Sequence, residues 1–336
     1  MDSVTAKKEI LRAGNDLVKL GLVARTWGNV SCRIDEKNFA ITPSGIGYDR
    51  LDEDKIVVVD IDTLKYDGSI KPSSEKGIHA SAYRVDSNIN FVIHTHQTYA
   101  TCISVSGFSK LAPTQDELTL LDGGIGQAAY GLPGSASLMK KVTHELVRRK
   151  YAILMTNHGA LLTGTNRDET FKRSSLLEGI CHRAMNDLPD FNDSPGIPDQ
   201  KTGDIITSIR REYPEYKCVM LLDSNVVKTA MEKTDAIPAI IDDFAQIVGS
   251  DARVVDEAIA QDTIKGLKGR NAVCIKGIGA LCCAGDESDC RAIMTLVEKN
   301  TLAYINAKYN GDSPGLSFFD KKLMRYFYIK KYSKNK

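Results

Sequence analysis

Phe91-Val-Ile-His-Thr-His-Gln97 sets the reading of the whole chain. Phe91, Val92 and Ile93 form the apolar body of a strand, and side chains two apart on a strand project from one face. His94 and His96 therefore offer two imidazoles on the same side. A third histidine, His158, stands in Met155-Thr-Asn-His-Gly-Ala160, just past another apolar run. Three histidines with a fourth position open to water or a carboxylate make the shell of a catalytic zinc site. The expected protein is a metal enzyme.

A chain of 336 residues with 42% hydrophobic residues suits one large domain or two ordinary ones, each with a full core. Its formal net charge of +1 lacks the basic excess of a nucleic-acid binder. The tail Lys330-Lys-Tyr-Ser-Lys-Asn-Lys336 reads as a solvated terminus. Eight cysteines form no C-x-x-C pair and sit mostly among apolar residues, as reduced thiols do. Residues 1–20 carry mixed charge without a long apolar core, so no signal peptide is expected. No run approaches the roughly 20 apolar residues of a membrane span. A soluble, cytoplasmic protein is the expectation.

Around the central stretch the chain alternates short strands and helices. Residues 2–21 read as a helix with Ile10, Leu11, Leu17, Val18, Leu20 and Leu22 on one side. Three strands follow, ending near Arg33, Thr42 and Ile61, with turn residues between them, which points to antiparallel pairing. Pro72-Ser-Ser-Glu75 opens a helix to about Val85, with the serines as caps. Helices are expected near 97–106, 136–149 and 167–187, strands at 152–156 and 159–163, and a Gly-rich linker at Asp122-Gly-Gly-Ile-Gly126. Pro189, Pro195 and Pro198 mark a boundary between 190 and 205, which divides the chain into domains 1–195 and 205–336.

The second part repeats the first in degenerate form. Ala152–Leu161 (AILMTNHGAL) matches Ala272–Leu281 (AVCIKGIGAL) at an offset of 120, and Leu176-Leu-Glu178 matches Leu296-Val-Glu298. Asp116-Glu117 and Gly123 match Asp242-Asp243 and Gly249 at an offset of 126. His158 becomes Ile278, and no histidine follows residue 182. The copy lacks any equivalent of residues 20–75, so it is truncated and metal-free, and a structural role is expected for it.

Gly28-Asn-Val-Ser31, Thr42-Pro-Ser-Gly45, Pro72-Ser-Ser-Glu75, His94-Thr-His96 and Asn157-His-Gly159 occur in this order. In these motifs, over about residues 5–190, the chain resembles the class II aldolase/adducin family, which includes sugar-phosphate aldolases and an L-ribulose-5-phosphate 4-epimerase. The resemblance implies a three-layer α/β/α fold with a mostly antiparallel central sheet. It implies His94, His96 and His158 as ligands of Zn2+ or another divalent ion such as Mn2+ or Co2+. Glu75 matches a carboxylate that ligates the resting metal and acts as acid/base. Asn29, Ser44, Gly45, Ser73 and Ser74 match phosphate-binding positions, with Thr26 as a further contact. Such a cradle needs hydroxyls, backbone N–H groups and a helix N-terminus.

The implied activity is a zinc-dependent lyase that cleaves a phosphorylated ketose through an enediolate, in a homo-oligomer, tetramer or dimer. A cation beside the developing oxyanion stabilises it, and a nearby carboxylate moves the proton. One departure stands out. Gln115 occupies the position of a family catalytic tyrosine, so Asp116, Glu117 or a C-terminal tyrosine (Tyr326, Tyr328 or Tyr332) is expected to replace it. An epimerase or decarboxylase of a sugar or sugar-acid phosphate needs the same enediolate, and adducin-like members are non-catalytic modules without the metal ligands. A zinc hydrolase has no support beyond the histidines. Gly-Ile-Gly at 45–47, 124–126 and 277–279 never completes G-x-G-x-x-G, so no nucleotide loop is expected. His79, one turn after Glu75, reads as a satisfied helix histidine or a partner of Glu75.

Overall fold

Apolar runs bounded by turn residues become the strands β1 (Asn29–Arg33), β2 (Asn38–Ile41), β3 (Val57–Asp60), β4 (Phe91–Thr95), β5 (Gly126–Ala128), β6 (Ala152–Met155) and β7 (Gly159–Gly164). They join in the order β3-β2-β1-β4-β7-β6-β5, antiparallel throughout except for the parallel β5–β6 pair. The computed structural model describes residues 1–23, 27–312 and 315–332, leaving Thr26 and the end of the tail, with the Tyr332 side chain, outside the described residues. The chain divides into two units, Met1–Ser104 with Phe108–Ala184 and Val105–Gly107 with Met185–Lys336.

The helices of the first unit are α1 (Ser3–Lys19), α2 (Lys76–Val85), α3 (Thr98–Val105), α4 (Gln115–Leu120), α5 (Ala136–Leu146) and α6 (Arg167–Arg183). On one sheet face, Phe39, Ile41, Val59, Val92, Ile153 and Leu161 pack with Ile78, Ala82, Leu138 and Val142 of α2 and α5. Each of the Val, Leu, Ile and Phe side chains among them contributes roughly 1.5–3 kcal/mol of burial. The other face takes α1 and α6, which lie against β1 and β2 and against β4, β6 and β7 respectively. This is the three-layer α/β/α architecture with a mostly antiparallel sheet.

Several expectations shift. The buried face of α1 is Ala6, Ile10, Ala13 and Leu17, spaced i, i+4, i+7, i+11, while Val18 and Leu20 are exposed. Val18 sits about 100° of helical rotation from Leu17 and turns away. The Gly-rich stretch Asp122–Gly126 joins α4 to the edge strand β5, which begins at Gly126. The boundary falls at Ala184, ahead of 190–205, because residues after it bond within the second unit. Gly196 N–H donates to Leu221 O at 2.7 Å, and Asn192 N–H to Glu298 Oε1 at 3.1 Å.

The second unit holds β8 (Cys218–Leu222), β9 (Ala236–Pro238), β10 (Asp251–Val255), β11 (Ala272–Ile275) and β12 (Gly279–Ala284), in the order β8-β12-β11-β10-β9. Its helices are α7 (Gln200–Glu212), α8 (Asn225–Met231), α9 (Asp242–Ile247), α10 (Ala260–Leu267), α11 (Glu287–Tyr309) and α12 (Phe318–Phe327). The repeat is visible residue by residue. Ala152 pairs with Leu162 in β6–β7, and Ala272 with Cys282 in β11–β12. Asn166 caps α6 by accepting from Glu169 N–H, and Asp286 caps α11 by accepting from Asp289 N–H. The offset of 126 holds at the ends of α4 and α9, where Gly123 N–H donates to Leu118 O and Gly249 N–H to Phe244 O. One added residue makes it 127 at β5 and β10, where Gly126 and Arg253 occupy matching places beside Ile153 and Val273. No counterpart of β1–β3 is present among the described residues. No described helix is long and apolar enough to cross a membrane.

Candidate metal centre

β4 brings His94 and, just past its end, His96 to the edge of the α2 layer, and the β6–β7 hairpin brings His158 to meet them. That hairpin turns through Asn157, whose φ of 63° lies in the left-handed region that asparagine tolerates. In the second unit Gly277 takes the same place with φ 73°, and Ile278 N–H donates to Ile275 O as His158 N–H does to Met155 O. The form of the turn is thus kept while the ligand is lost. The β8–β12 register places Leu221 and Asp223 where the first unit has His94 and His96.

Gly159 pairs with Met155 at the base of the hairpin, and a Cβ there would lie 2.3 Å from Thr95 O and 3.3 Å from His94 Cε1. Gly28, with φ 71°, has His94 O 2.5 Å from where its Cβ would stand. Both glycines let backbone close tightly round His94.

The three rings converge. His96 Nε2 and His158 Nε2 lie 2.8 and 3.0 Å from His94 Nε2, and one nitrogen from each ring falls within a 4.8 Å cluster. His94 Nδ1–H donates to Ala160 O at 2.9 Å, which leaves its Nε2 lone pair facing the cluster. Burial pushes the His94 pKa down to about 3 against the attraction of Glu75, so this ring is neutral at physiological pH. Trp27 stacks at 6.4 Å from His96.

Glu75 lies at the N-cap of α2, buried, with Oε2 3.3 Å from His94 Nε2 and Oε1 3.3 Å from His158 Nε2. Burial alone raises its pKa. The neighbouring His94 and His158 imidazoles, with the hydrogen bond from Asn29, outweigh burial and hold the carboxyl well below the usual range. Oε1 is buried without a hydrogen-bond partner among the described residues. Three imidazole nitrogens and an unsatisfied carboxylate oxygen facing one point are the donor set of a divalent cation such as Zn2+. The residues present fit such an ion.

The remaining expected site residues divide. Thr42-Pro-Ser-Gly45 and Pro72-Ser-Ser-Glu75 are laced together, Ser44 N–H donating to Lys71 O at 2.9 Å and Ser73 N–H to Thr42 O at 3.0 Å. Gly45 takes φ 74°, Ser73 is buried and Ser74 is exposed. α2 opens at Lys76 rather than at the serines, since Ser73 Oγ accepts from Glu75 N–H at 3.2 Å and closes a separate turn. The Asn29 amide is held inside the protein, donating to Glu75 Oε2 at 3.0 Å and accepting from His79.

Asp116 and Glu117 are not brought to the histidines by any bond among the described residues. Glu117 closes a capping box with Thr114 and takes two hydrogen bonds from Arg183 Nη2 at 2.7 and 2.8 Å, and Asp116 is exposed. Gln115 is the first residue of α4, and Tyr326 and Tyr328 lie at the end of α12 and just past it in the second unit. What the motifs missed is the company of His79. Ser31 Oγ lies 2.6 Å from its Nδ1 and 2.6 Å from Tyr83 OH. The sequence signal was alternation, Asn29, Ser31 and Arg33 on one strand against Glu75, His79 and Tyr83 at successive helical turns.

Comparison with known proteins gives partial matches. The L-ribulose-5-phosphate 4-epimerases UlaF of Salmonella paratyphi C (strain RKS4594) and Salmonella choleraesuis (strain SC-B67) are each 38% identical over 104 residues, 31% of this chain and 46% of theirs. The chain spans about half the length of the curated relatives it matches. Among solved structures, YgbL of Klebsiella pneumoniae, a candidate aldolase/epimerase/decarboxylase, aligns at TM-score 0.48 and 23% identity over 55% of this chain and 89% of that one. The L-fuculose-1-phosphate aldolase of Thermus thermophilus aligns at TM-score 0.45 and 22% identity over 54% and 94%. Residues 8–185, more than half of the chain, match the model of the Class II Aldolase and Adducin N-terminal domain, and this protein belongs to that family.

Proposed function

We propose that this protein is a divalent-metal-dependent lyase that cleaves a phosphorylated ketose by retro-aldol chemistry through an enediolate. The observation that carries this reading is the convergence of the His94, His96 and His158 Nε2 atoms on a buried carboxylate with one unsatisfied oxygen. When bound, a divalent cation supplies positive charge next to which an enediolate forms at lower cost. The protein's own residues do the rest. The neutral His94 imidazole keeps its Nε2 lone pair for the ion, and Glu75, held ionised, carries the proton. In cleavage the hydroxyl across the breaking carbon–carbon bond gives up its proton and the enediolate carbon takes one, and in the aldol direction Glu75 takes it from that carbon. Ser44, Gly45, Ser73 and Ser74 stand on two laced loops just ahead of α2 and form the phosphate cradle of this proposal, with Asn29 beside Glu75.

A second reading is favoured by the names of the 38%-identical relatives. If the same cleavage is followed by rejoining the fragments on the opposite face of the aldehyde, the enzyme is a 4-epimerase. Gln115 at the family tyrosine position is compatible with either outcome. We further place the protein in the cytoplasm, since all eight cysteines are free, and as a homo-oligomer, with the metal-free second unit in a structural role.

The test is incubation of metal-loaded protein with L-ribulose 5-phosphate, a panel of ketose 1-phosphates and sugar-acid phosphates. Triose phosphate with an aldehyde supports the lyase, and a C4 epimer without free fragments supports the epimerase. Carbon dioxide without triose phosphate, or no turnover that depends on Glu75, contradicts both.

A further inference from the structure

We propose that His79 is a positioning residue for Glu75, acting through Asn29 within a one-directional hydrogen-bond chain that starts at Tyr83. This rests on the reading of Glu75 and the three histidines as a metal centre. The direction follows from one fixed end. Asn29 Nδ2–H donates to Glu75 Oε2 at 3.0 Å, since an amide nitrogen only donates. Asn29 Oδ1 then faces His79 Nε2, which must carry the ring proton. His79 Nδ1 is left as an acceptor, so the Ser31 hydroxyl 2.6 Å away donates to it. Ser31 Oγ in turn accepts from Tyr83 OH, also at 2.6 Å. Every donor and acceptor in the chain follows from the orientation of the Asn29 amide.

Two elements build the chain by their own periods. Asn29 and Ser31 are two apart on β1, while Glu75, His79 and Tyr83 are four apart on α2 and its cap, so the two rows interlock. Arg33 extends the strand row, with its guanidinium 4.8 Å from the centre of the Tyr83 ring and Nη2–H donating to Tyr83 O. Ser31, His79 and Tyr83 are at most 2% exposed, which leaves no room for water to replace a missing member.

The consequence is a choice between the carboxylate oxygens. The chain ties down Oε2 and leaves Oε1, 3.3 Å from His158 Nε2, without a hydrogen bond among the described residues. Without the His79 donor, Asn29 Oδ1 is left buried without its partner, and the amide is held beside Glu75 by one bond instead of two. The carboxylate is then free to rotate away from the imidazoles.

The experiment uses the full chain as wild type, His79→Leu, His79→Gln, Ser31→Ala and Glu75→Gln. Zinc affinity is read by chelator competition, and coordination by the visible spectrum of the Co2+ form. His79→Leu is expected to weaken zinc binding about 10- to 100-fold, the usual effect of losing an orienting partner, and to move the cobalt spectrum toward that of Glu75→Gln. His79→Gln, whose amide nitrogen reaches the Nε2 position, is expected to recover most of both. Should His79→Leu not fold, Ser31→Ala carries the test with a smaller loss in the same direction. Unchanged affinity and spectrum in these variants, or Gln no better than Leu, overturn the inference. Metal-free wild type gives an independent reading through the imidazole 15N shifts of His79, where the Nε2–H tautomer is expected and Nδ1–H overturns the chain. Wild type that binds no divalent metal sinks the metal-centre reading instead, and the tautomer then decides the chain alone.

Discussion

The second unit suggests the sharpest perturbation of the first. Ile278 occupies the hairpin position of His158 on the same turn, so His158→Ile replaces a ligand by a residue that this backbone already accepts. The fold should survive, and only the gain from metal should fall. At a zinc concentration about 1,000 times the wild-type dissociation constant, mass action adds about 4 kcal/mol to the folded state. Losing an orienting partner weakens metal sites about 10- to 100-fold, so loss of a ligand itself is set at about 100-fold as a lower bound. The variant then keeps about 1.4 kcal/mol of metal stabilisation, a deficit of about 2.7 kcal/mol. For a unit of this size each kcal/mol moves the midpoint by about 2–4 °C, so the zinc-induced shift should be smaller by about 5–10 °C. Thermal unfolding followed by circular dichroism, with and without zinc, reads this directly. A variant whose zinc-induced shift equals that of wild type would refute the reasoning.

Gly159→Ala places a Cβ 2.3 Å from Thr95 O, and forcing β7 off β4 should cost about 1–3 kcal/mol in chemical denaturation, as overpacking does. No loss would mean the close approach is not required. In metal-free protein His79 is held down to about 4 by burial, despite the raising influence of Glu75, against an ordinary 6.5. The unfolded chain therefore takes up a proton first as pH falls. Stability from this group is full above pH 6.5 and drains between 6.5 and 4, by about 3 kcal/mol in all. Denaturation across that range should be flatter in His79→Gln, and equal slopes would contradict the assignment. Glu117→Ala removes a capping box and the Arg183 pair, so it should lower stability by about 1 kcal/mol with turnover unchanged. A large loss of turnover at full stability would return Glu117 to the chemistry.

The parts of the site that were legible were those written as local chemistry. His94 and His96 share a strand-end period, and Asn157-His158-Gly159 carries a turn signature, so their meeting could be anticipated from spacing. Glu75 followed from the same motif set. The partners of Asn29 were not legible, because its amide is claimed by His79 and Glu75 from an element some 46 to 50 positions away. A strand residue two places from Ser31 reads the same whether it faces a phosphate or a helix. Asp116 and Glu117 stand near a gap in the family pattern, and the same stretch, Thr114-Gln-Asp-Glu117, also writes the capping box that employs Glu117. Asp122–Gly126 misled because glycines at positive φ, Gly123 and Gly124, close off α4 as readily as they make a linker.

X-ray absorption at the zinc edge of the loaded chain, with metal counted per chain, bears most directly on the account. One zinc per chain with three imidazole nitrogens at about 2.0–2.1 Å and oxygen in the remaining position is the expected result. Sulfur at about 2.3 Å, from cysteines rather than His94, His96 and His158, or no bound zinc at all, would contradict it.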